Sequence, residues 1–362
     1  MRRDWFPLGG SYRRADSHVG NRIKVAEALL TDLRRYRGIL RKQWIVAAVL
    51  LLVMAATFRI AVAHWLPNDA PDDGRTYAQI ARNVLEQHVY SHATEAPYDP
   101  SLIRLPGYPL FLAAIYSVLG HTNNGAVRIV QALIDTGTCA LVALLAFYWQ
   151  PDERRKRATA ITALALAAVC PFTTIYAATI LTEVPTTFLV MAMCLATTLA
   201  FQAESWKRSL RWWIVSGFFG GMAVLLRPDS GLFAAAIGLT LVITGLFWRA
   251  PAERSGDKAL DPTPADKSQS IQSGVALHLP RPSKNFSRTI FAGAVFSLAF
   301  VLVLVPWTIR NARVFHLFQP LAPAHGEMPD EFVPRGYYHW LRTWLDDQAY
   351  VAPFLWSLDD QP

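Results

Sequence analysis

Apolar blocks of about 17 to 24 residues, parted by short charged stretches, dominate this sequence. An α-helix needs that length to cross a hydrocarbon core of roughly 30 Å. Composition agrees with a bilayer-embedded chain: of 362 residues, 52% are hydrophobic and only 17% charged, where soluble domains run near about a quarter charged. So apolar a chain is not disordered, and its 12 Trp and 19 Phe suit the membrane interfaces. The sequence therefore predicts an all-α polytopic membrane protein.

Seven blocks are expected to span: Trp44–Trp65, Ala126–Trp149, Ala158–Tyr176, Glu183–Phe201, Trp212–Leu226, Gly231–Phe247 and Thr289–Arg310. An eighth, Leu105–Gly120, is short and opens with Pro106, Gly107 and Pro109. Charge decides its status. Residues 1–43 hold 11 Lys and Arg against 4 acids, and 152–157, 204–211 and 249–288 hold four, three and seven basic residues. By the positive-inside rule all four belong on the cytoplasmic side. They agree only if Leu105–Gly120 lies on the outer face as an interfacial helix. The first outer loop, 66–125, then carries six acids against three arginines. The net charge of +8 is accounted for by this asymmetry, without nucleic acid as a partner. The basic N-terminus reads as a cytoplasmic anchor rather than a cleaved leader.

The expected organisation is thus a basic segment 1–43, a seven-span domain 44–310, and an outer segment 311–362. Within the spans, 249–288 is a polar linker expected to be disordered. The tail, with Tyr337, Tyr338, Trp340, Trp344 and Trp356, reads as the start of a longer region, and the chain as a fragment. Cys139, Cys170 and Cys194 lie inside apolar blocks, with no metal or disulfide pattern. Walker, Rossmann and Gly-x-Ser-x-Gly patterns are absent from the sequence.

The unusual chemistry falls on the expected outer side: Asp72, Asp73, Arg104, Glu183, Arg227 with Asp229, and Arg310 with Asn311. Each sits in or beside a different apolar block, where an ionised group is costly. Asp72 and Asp73 precede Tyr77, Ile80, Ala81, Val84 and Leu85 at helical spacing. They read as an N-cap, as a general base held at the membrane surface, or as both. Arg104 and Arg227 are placed to grip one phosphate of a lipid carrier, since a guanidinium binds oxygens two at a time. Contact with ordinary anionic lipid is the plainer alternative for Arg104. Arg310 is a third such group or a span-end anchor. Glu183 suits the first turn of a helix, capped by Thr182. Alternatively it faces Asp73 as a divalent-metal ligand or orients an acceptor. His88 and His92 stand at i, i+4, but Val89-Tyr90-Ser91 looks like a helix end and no third ligand is near.

In order, the acidic pair with Tyr77 four residues on, Arg104-Leu-Pro-Gly-Tyr-Pro-Leu-Phe, Leu181-Thr-Glu, Leu225-Leu-Arg-Pro and Pro306-Trp-Thr-Ile-Arg-Asn resemble the polytopic GT-C glycosyltransferases. The likeness is nearest to glycosyltransferase family 39, the protein O-mannosyltransferase and aminoarabinose-transferase-like group, over about residues 44–315. It implies a GT-C-like transmembrane bundle with interfacial helices in a large first outer loop. The implied activity takes a sugar from a polyprenyl-phosphate donor to a lipid, protein or glycan acceptor on the outer face, in a bacterial plasma membrane. Asp73, seconded by Asp72, falls at the family's catalytic position, Arg104 and Arg227 at carrier-phosphate positions, and Glu183 at a second acidic position. Relatives often carry Glu directly after the catalytic Asp. This chain has Gly74, which leaves a divalent metal an open expectation. A transporter or flippase of a lipid-linked anion is the rival expectation, and a membrane scaffold a third.

Overall fold

The computed structural model describes residues 43–70, 73–102, 104–120, 122–247, 284–322, 340 and 343. Asp72, the basic segment before residue 43, most of the linker and most of the outer tail lie outside the described residues. Regular structure among the described residues is helical: α1 (Gln43–Trp65), α2 (Asp73–Glu86), α3 (Gly107–Leu119), α4 (Asn124–Trp149), α5 (Lys156–Ala168), α6 (Pro171–Ala177), α7 (Glu183–Gln202), α8 (Trp206–Leu226), α9 (Gly231–Phe247) and α10 (Lys284–Phe315). A short 3-10 turn, Pro228–Ser230, joins α8 to α9.

Five helices, α1, α4, α7, α8 and α10, are long and apolar enough to cross a membrane. Of α1 and α10 only 11% of the most apolar stretch is buried, so their exposed Val49, Leu50, Val53, Leu298 and Leu302 require an apolar solvent. Two expected spans differ from the sequence reading. Ala158–Tyr176 is not one straight helix but α5 and α6, bent by 54°. The 17 residues of α9 form a shorter apolar helix. The helix α10 also begins at Lys284, taking in the last residues assigned to the linker. With 13 residues, α3 reaches only about 20 Å, too short to cross, as the charge parity requires.

The chain forms two compact units. The first, residues 1–68 and 128–179, contains the reason for the α5–α6 break. Pro171 opens α6 and Cys170 is extended, with φ −64° and ψ 115°, since a residue before proline avoids the helical region. At the end of α5, Ala167 O is left with a long 3.3 Å bond from Cys170 N, outside the regular helical pattern. Arg59, wholly buried in α1, binds this end: Nη1 donates to Ala168 O at 2.9 Å and Nη2 to Ala167 O at 3.0 Å. Its Nε donates to Asp135 Oδ2 of α4 at 2.6 Å. A cation at a helix C-terminus is favoured by the dipole as well.

The second unit, residues 69–127 and 180–362, is built on the α7–α8 hairpin with α10 against it. Hydroxyls join the hairpin, Thr197 Oγ1 to Ser216 Oγ at 2.8 Å and Ser209 Oγ to Ala200 O at 2.8 Å. Gly217 and Gly221 of α8 let α10 approach so closely that a side chain at either would strike Phe296 O or Phe300 O. Small residues four apart are how helices pack when lipid, not water, surrounds them.

Removing one partner of a buried ion pair strands the other charge, at about 3–5 kcal/mol. Arg59→Leu should therefore destabilise the detergent-solubilised protein by that amount in denaturant titrations. Adding Asp135→Leu should recover most of the loss. A single variant as stable as wild type would contradict the account of the break.

Candidate active site

Asp73 is the first residue of α2, where a carboxylate meets the positive end of the dipole. The helix buries Ile80, Ala81 and Asn83. Asn83 Nδ2 donates to Ser91 O and Ala93 O, both at 2.8 Å, folding the following chain back on itself. That loop presents Tyr90, whose hydroxyl donates to the carbonyls of Arg104 at 3.1 Å and Leu105 at 3.0 Å. The Arg104 backbone is thereby fixed, and its Nη2 donates to Asp73 Oδ1 at 2.6 Å. The guanidinium also stands 5.8 Å from the Tyr77 ring centroid. Tyr77 in turn meets Tyr108 of α3 edge-on at 5.1 Å.

A second pair forms where α7 starts and α8 ends. Arg227 leaves the helix in extended conformation (φ −145°, ψ 121°). Its Nη1 donates to Glu183 Oε1 at 2.6 Å, and Nε and Nη2 fork onto Asp229 at 3.3 and 3.2 Å. Burial lowers the Arg227 pKa, but the bonds from Asp229 and the charge of Glu183 outweigh it, leaving it above its ordinary value. The cation is permanent. Thr182 does not cap α7 through its hydroxyl; it points at Glu183 instead, at 3.5 Å.

The two pairs converge on Tyr77. Burial raises its pKa above the ordinary tyrosine value, with Arg104 and Arg227 opposing and Asp73 and Glu183 reinforcing the shift. Its phenol therefore stays protonated and acts as a neutral hydroxyl. All four ionised groups remain partly exposed, from 28% for Glu183 to 50% for Asp73, and so are open to a ligand.

Arg310 has different surroundings. Its Nη1 donates to Ser101 O at 3.0 Å and to Asn311 Oδ1 at 2.9 Å, and its guanidinium lies 4.9 to 5.4 Å from the rings of Trp307, Phe315 and Tyr90. The structure does not join it to the other candidates. His88 lies in a turn after α2 with positive φ, and His92 Nδ1 meets Ser101 Oγ at 3.1 Å, so the two share no helix face. Among the described residues no group of three His, Cys, Asp or Glu is arranged to hold a metal ion. Sequence reasoning missed the buried Arg59–Asp135 pair and the fork of Asp229 on Arg227. An ionised residue inside an apolar block is itself a signal that a partner exists.

A cleft of ≈ 340 Å³ opens beside the second pair. It is lined by the charged Glu183, Arg227 and Asp229, by the hydroxyls of Thr186, Thr187 and Ser230, and by Val190, Met191, Leu232 and Phe233.

Residues 100–255 match a family model described as dolichyl-phosphate-mannose-protein mannosyltransferase. The S. cerevisiae protein O-mannosyltransferase Pmt1-Pmt2 complex bound to the sugar donor has a matching fold, with a TM-score of 0.51 at 17% identity over 75% of this chain. The chain resembles the GT-C glycosyltransferases of family 39. It spans 34% of that yeast chain, about a third of its length. No curated protein matches. The family segment holds Arg104, Glu183 and Arg227, whereas Asp73 and Arg310 lie outside it.

The family context makes Gly74 informative. Its amide donates to Ala70 O at 2.8 Å. A Cβ there would press on the Asp69 carbonyl and stand 3.0 Å from Ile180 O. Both neighbours are backbone, so a glutamate after Asp73 has no room in this chain. Likewise Gly107, in the Arg-Leu-Pro-Gly-Tyr stretch, lets α3 start against the end of α8, where a Cβ would come within 2.5 Å of Leu225 O.

Gly74→Glu should accordingly lose at least about 1–3 kcal/mol of stability through overpacking. Thermal unfolding in lipid nanodiscs measures it, and an unchanged midpoint would show that the start of α2 yields easily.

Proposed function

We propose that the protein is a membrane glycosyltransferase that moves a sugar from a polyprenyl-phosphate carrier to an acceptor hydroxyl on the outer face. The observation that carries this reading is the cleft beside Arg227, whose lining combines the charged Glu183, Arg227 and Asp229 with the apolar Val190, Met191, Leu232 and Phe233. A prenyl phosphate has that same combination. Its phosphate would take the guanidinium forks of Arg227 and Arg104, and its tail the apolar lining. The charge asymmetry of the sequence supports a cytoplasmic N-terminus and an outer site.

The reaction is a displacement at the anomeric carbon. The acceptor oxygen forms a bond to that carbon, and the bond from the carbon to the phosphate oxygen breaks, with its electron pair leaving on the phosphate. Asp73 accepts the acceptor's proton. Arg104 and Arg227 stabilise the charge that grows on the leaving phosphate. Glu183 and Asp229 hold Arg227 in place, and the neutral Tyr77 hydroxyl stands among all four charges. At rest Asp73 is bound to Arg104. A carrier phosphate that draws Arg104 away leaves the carboxylate free to take a proton, so donor binding itself readies the base.

The test is release of free polyprenyl phosphate from a panel of polyprenyl-phosphate sugars by the full chain in lipid, with a membrane extract supplying acceptors. Asp73→Asn should lower release by about 10²–10⁴-fold, the usual worth of a general base, while donor binding persists. Unchanged turnover would remove Asp73 from that role. Arg104→Ala should weaken donor affinity by about 10–100-fold, as the loss of a charged hydrogen bond does. No release by wild type from any donor would favour a transporter of the lipid-linked anion.

A further inference from the structure

The residues of the proposed donor site occupy one face of α2, and the opposite face carries other charged groups. At 3.6 residues per turn Asp73 and Tyr77 share a face, and Arg75 and Arg82 come round roughly 180° away. There the second unit has an open cavity of ≈ 700 Å³, about twice the size of the carrier cleft. Arg75, Arg82, His92, Thr94 and Asp69 line it, together with Gly74, the residue next to Asp73. Its chemistry is polar and cationic, with two arginines against one lining carboxylate.

Neither arginine has a carboxylate partner among the described residues. Arg75 is exposed and makes no ion pair there, and Arg82 Nη2 donates only to the neutral Gln79 Oε1, at 2.6 Å. Arg82 Nε is buried without an acceptor. Two turns apart on one helix, these guanidiniums present several donors to one space. Every arginine on the other face that serves the proposed donor site already has a carboxylate.

We propose that this cavity is the acceptor site and that it takes a glycan carrying an anionic group, held by Arg75 and Arg82 with its hydroxyl at the N-terminal end of α2. This rests on the proposed function, because an in-line displacement requires the acceptor to approach from the side away from the leaving phosphate. Gly74 lines the cavity and Asp73 precedes it as the first residue of α2, so the acceptor hydroxyl would reach the base round the N-terminal end of the helix. The anion is recognised through charge-assisted forks, which phosphate and carboxylate both satisfy.

Binding, not turnover, tests it, so failure here is separable from failure of the transferase reading. Glucose 6-phosphate, glucuronate and methyl glucoside are titrated by calorimetry into the full chain in neutral-lipid nanodiscs. The expected result is about tenfold or more tighter binding of at least one anionic probe than of methyl glucoside, weakening with salt. Which probe wins distinguishes phosphate from carboxylate. Arg75→Gln and Arg82→Gln should each erase most of the preference, and Arg104→Ala should retain it. Because Arg75 is exposed, its variant keeps the test alive should Arg82→Gln fail to fold. Equal binding of all three probes overturns the proposal. So does a preference lost in Arg104→Ala but kept in Arg75→Gln, which would place the anion with the donor arginines. If the preference holds while no donor releases polyprenyl phosphate, the anion site stands and the transferase reading falls.

Discussion

An ionised side chain beside hydrocarbon must bring its countercharge with it, and this constraint organises the structure. Arg59 is tolerable in α1 because Asp135 and the last carbonyls of α5 surround it. The same logic repeats, in looser form, where Arg104 meets Asp73 and Arg227 meets Glu183 and Asp229. The difference is solvent. The first pair is sealed and fixes a broken helix. The other two are partly open, so a ligand's charge can replace one partner without stranding the other. Buried pairs of this kind build scaffold, and half-exposed ones are available for chemistry.

Backbone proximity is the second constraint. Helices that pack without a hydrophobic driving force approach through small residues. Gly217 and Gly221 serve this between α8 and α10, and Gly107 between α3 and α8. These contacts place Arg227, at the end of α8, near the chain that carries Arg104. Gly74 acts at the same scale, since the carbonyls of Asp69 and Ile180 fill the space a side chain would need. The site is thus positioned by main chain, and its ionised side chains only finish it.

Helix content and the shortness of α3 were legible because block length follows from bilayer thickness. The break at Cys170 was less so. Pro171 was visible, but a proline near a span end is often harmless. What makes it a break is Arg59, 111 positions earlier in the chain, a pairing no local pattern discloses. Candidate residues were legible as types, since each stood out against apolar surroundings. Their partners were not. Glu183 looked as though it faced Asp73, yet each carboxylate meets an arginine. Arg310 matched the others by span-end position, but Trp307 and Phe315 on its own helix, with Tyr90, enclose it.

The charge balance of the site bears on how it would work. Arg104 and Arg227 face Asp73, Glu183 and Asp229, so the resting cluster carries one negative charge in excess. An anionic donor therefore does not enter a waiting positive pocket; it has to displace carboxylates already bound. Arg227 keeps a fork on Asp229 even if Glu183 lets go, whereas Arg104 meets Asp73 through Nη2 alone. In the proposed mechanism, exchange at Arg104 is the step that liberates Asp73. On the proposed mechanism, the cluster that pairs the charges of the empty site would hold Asp73 against Arg104 until a donor phosphate drew that arginine away.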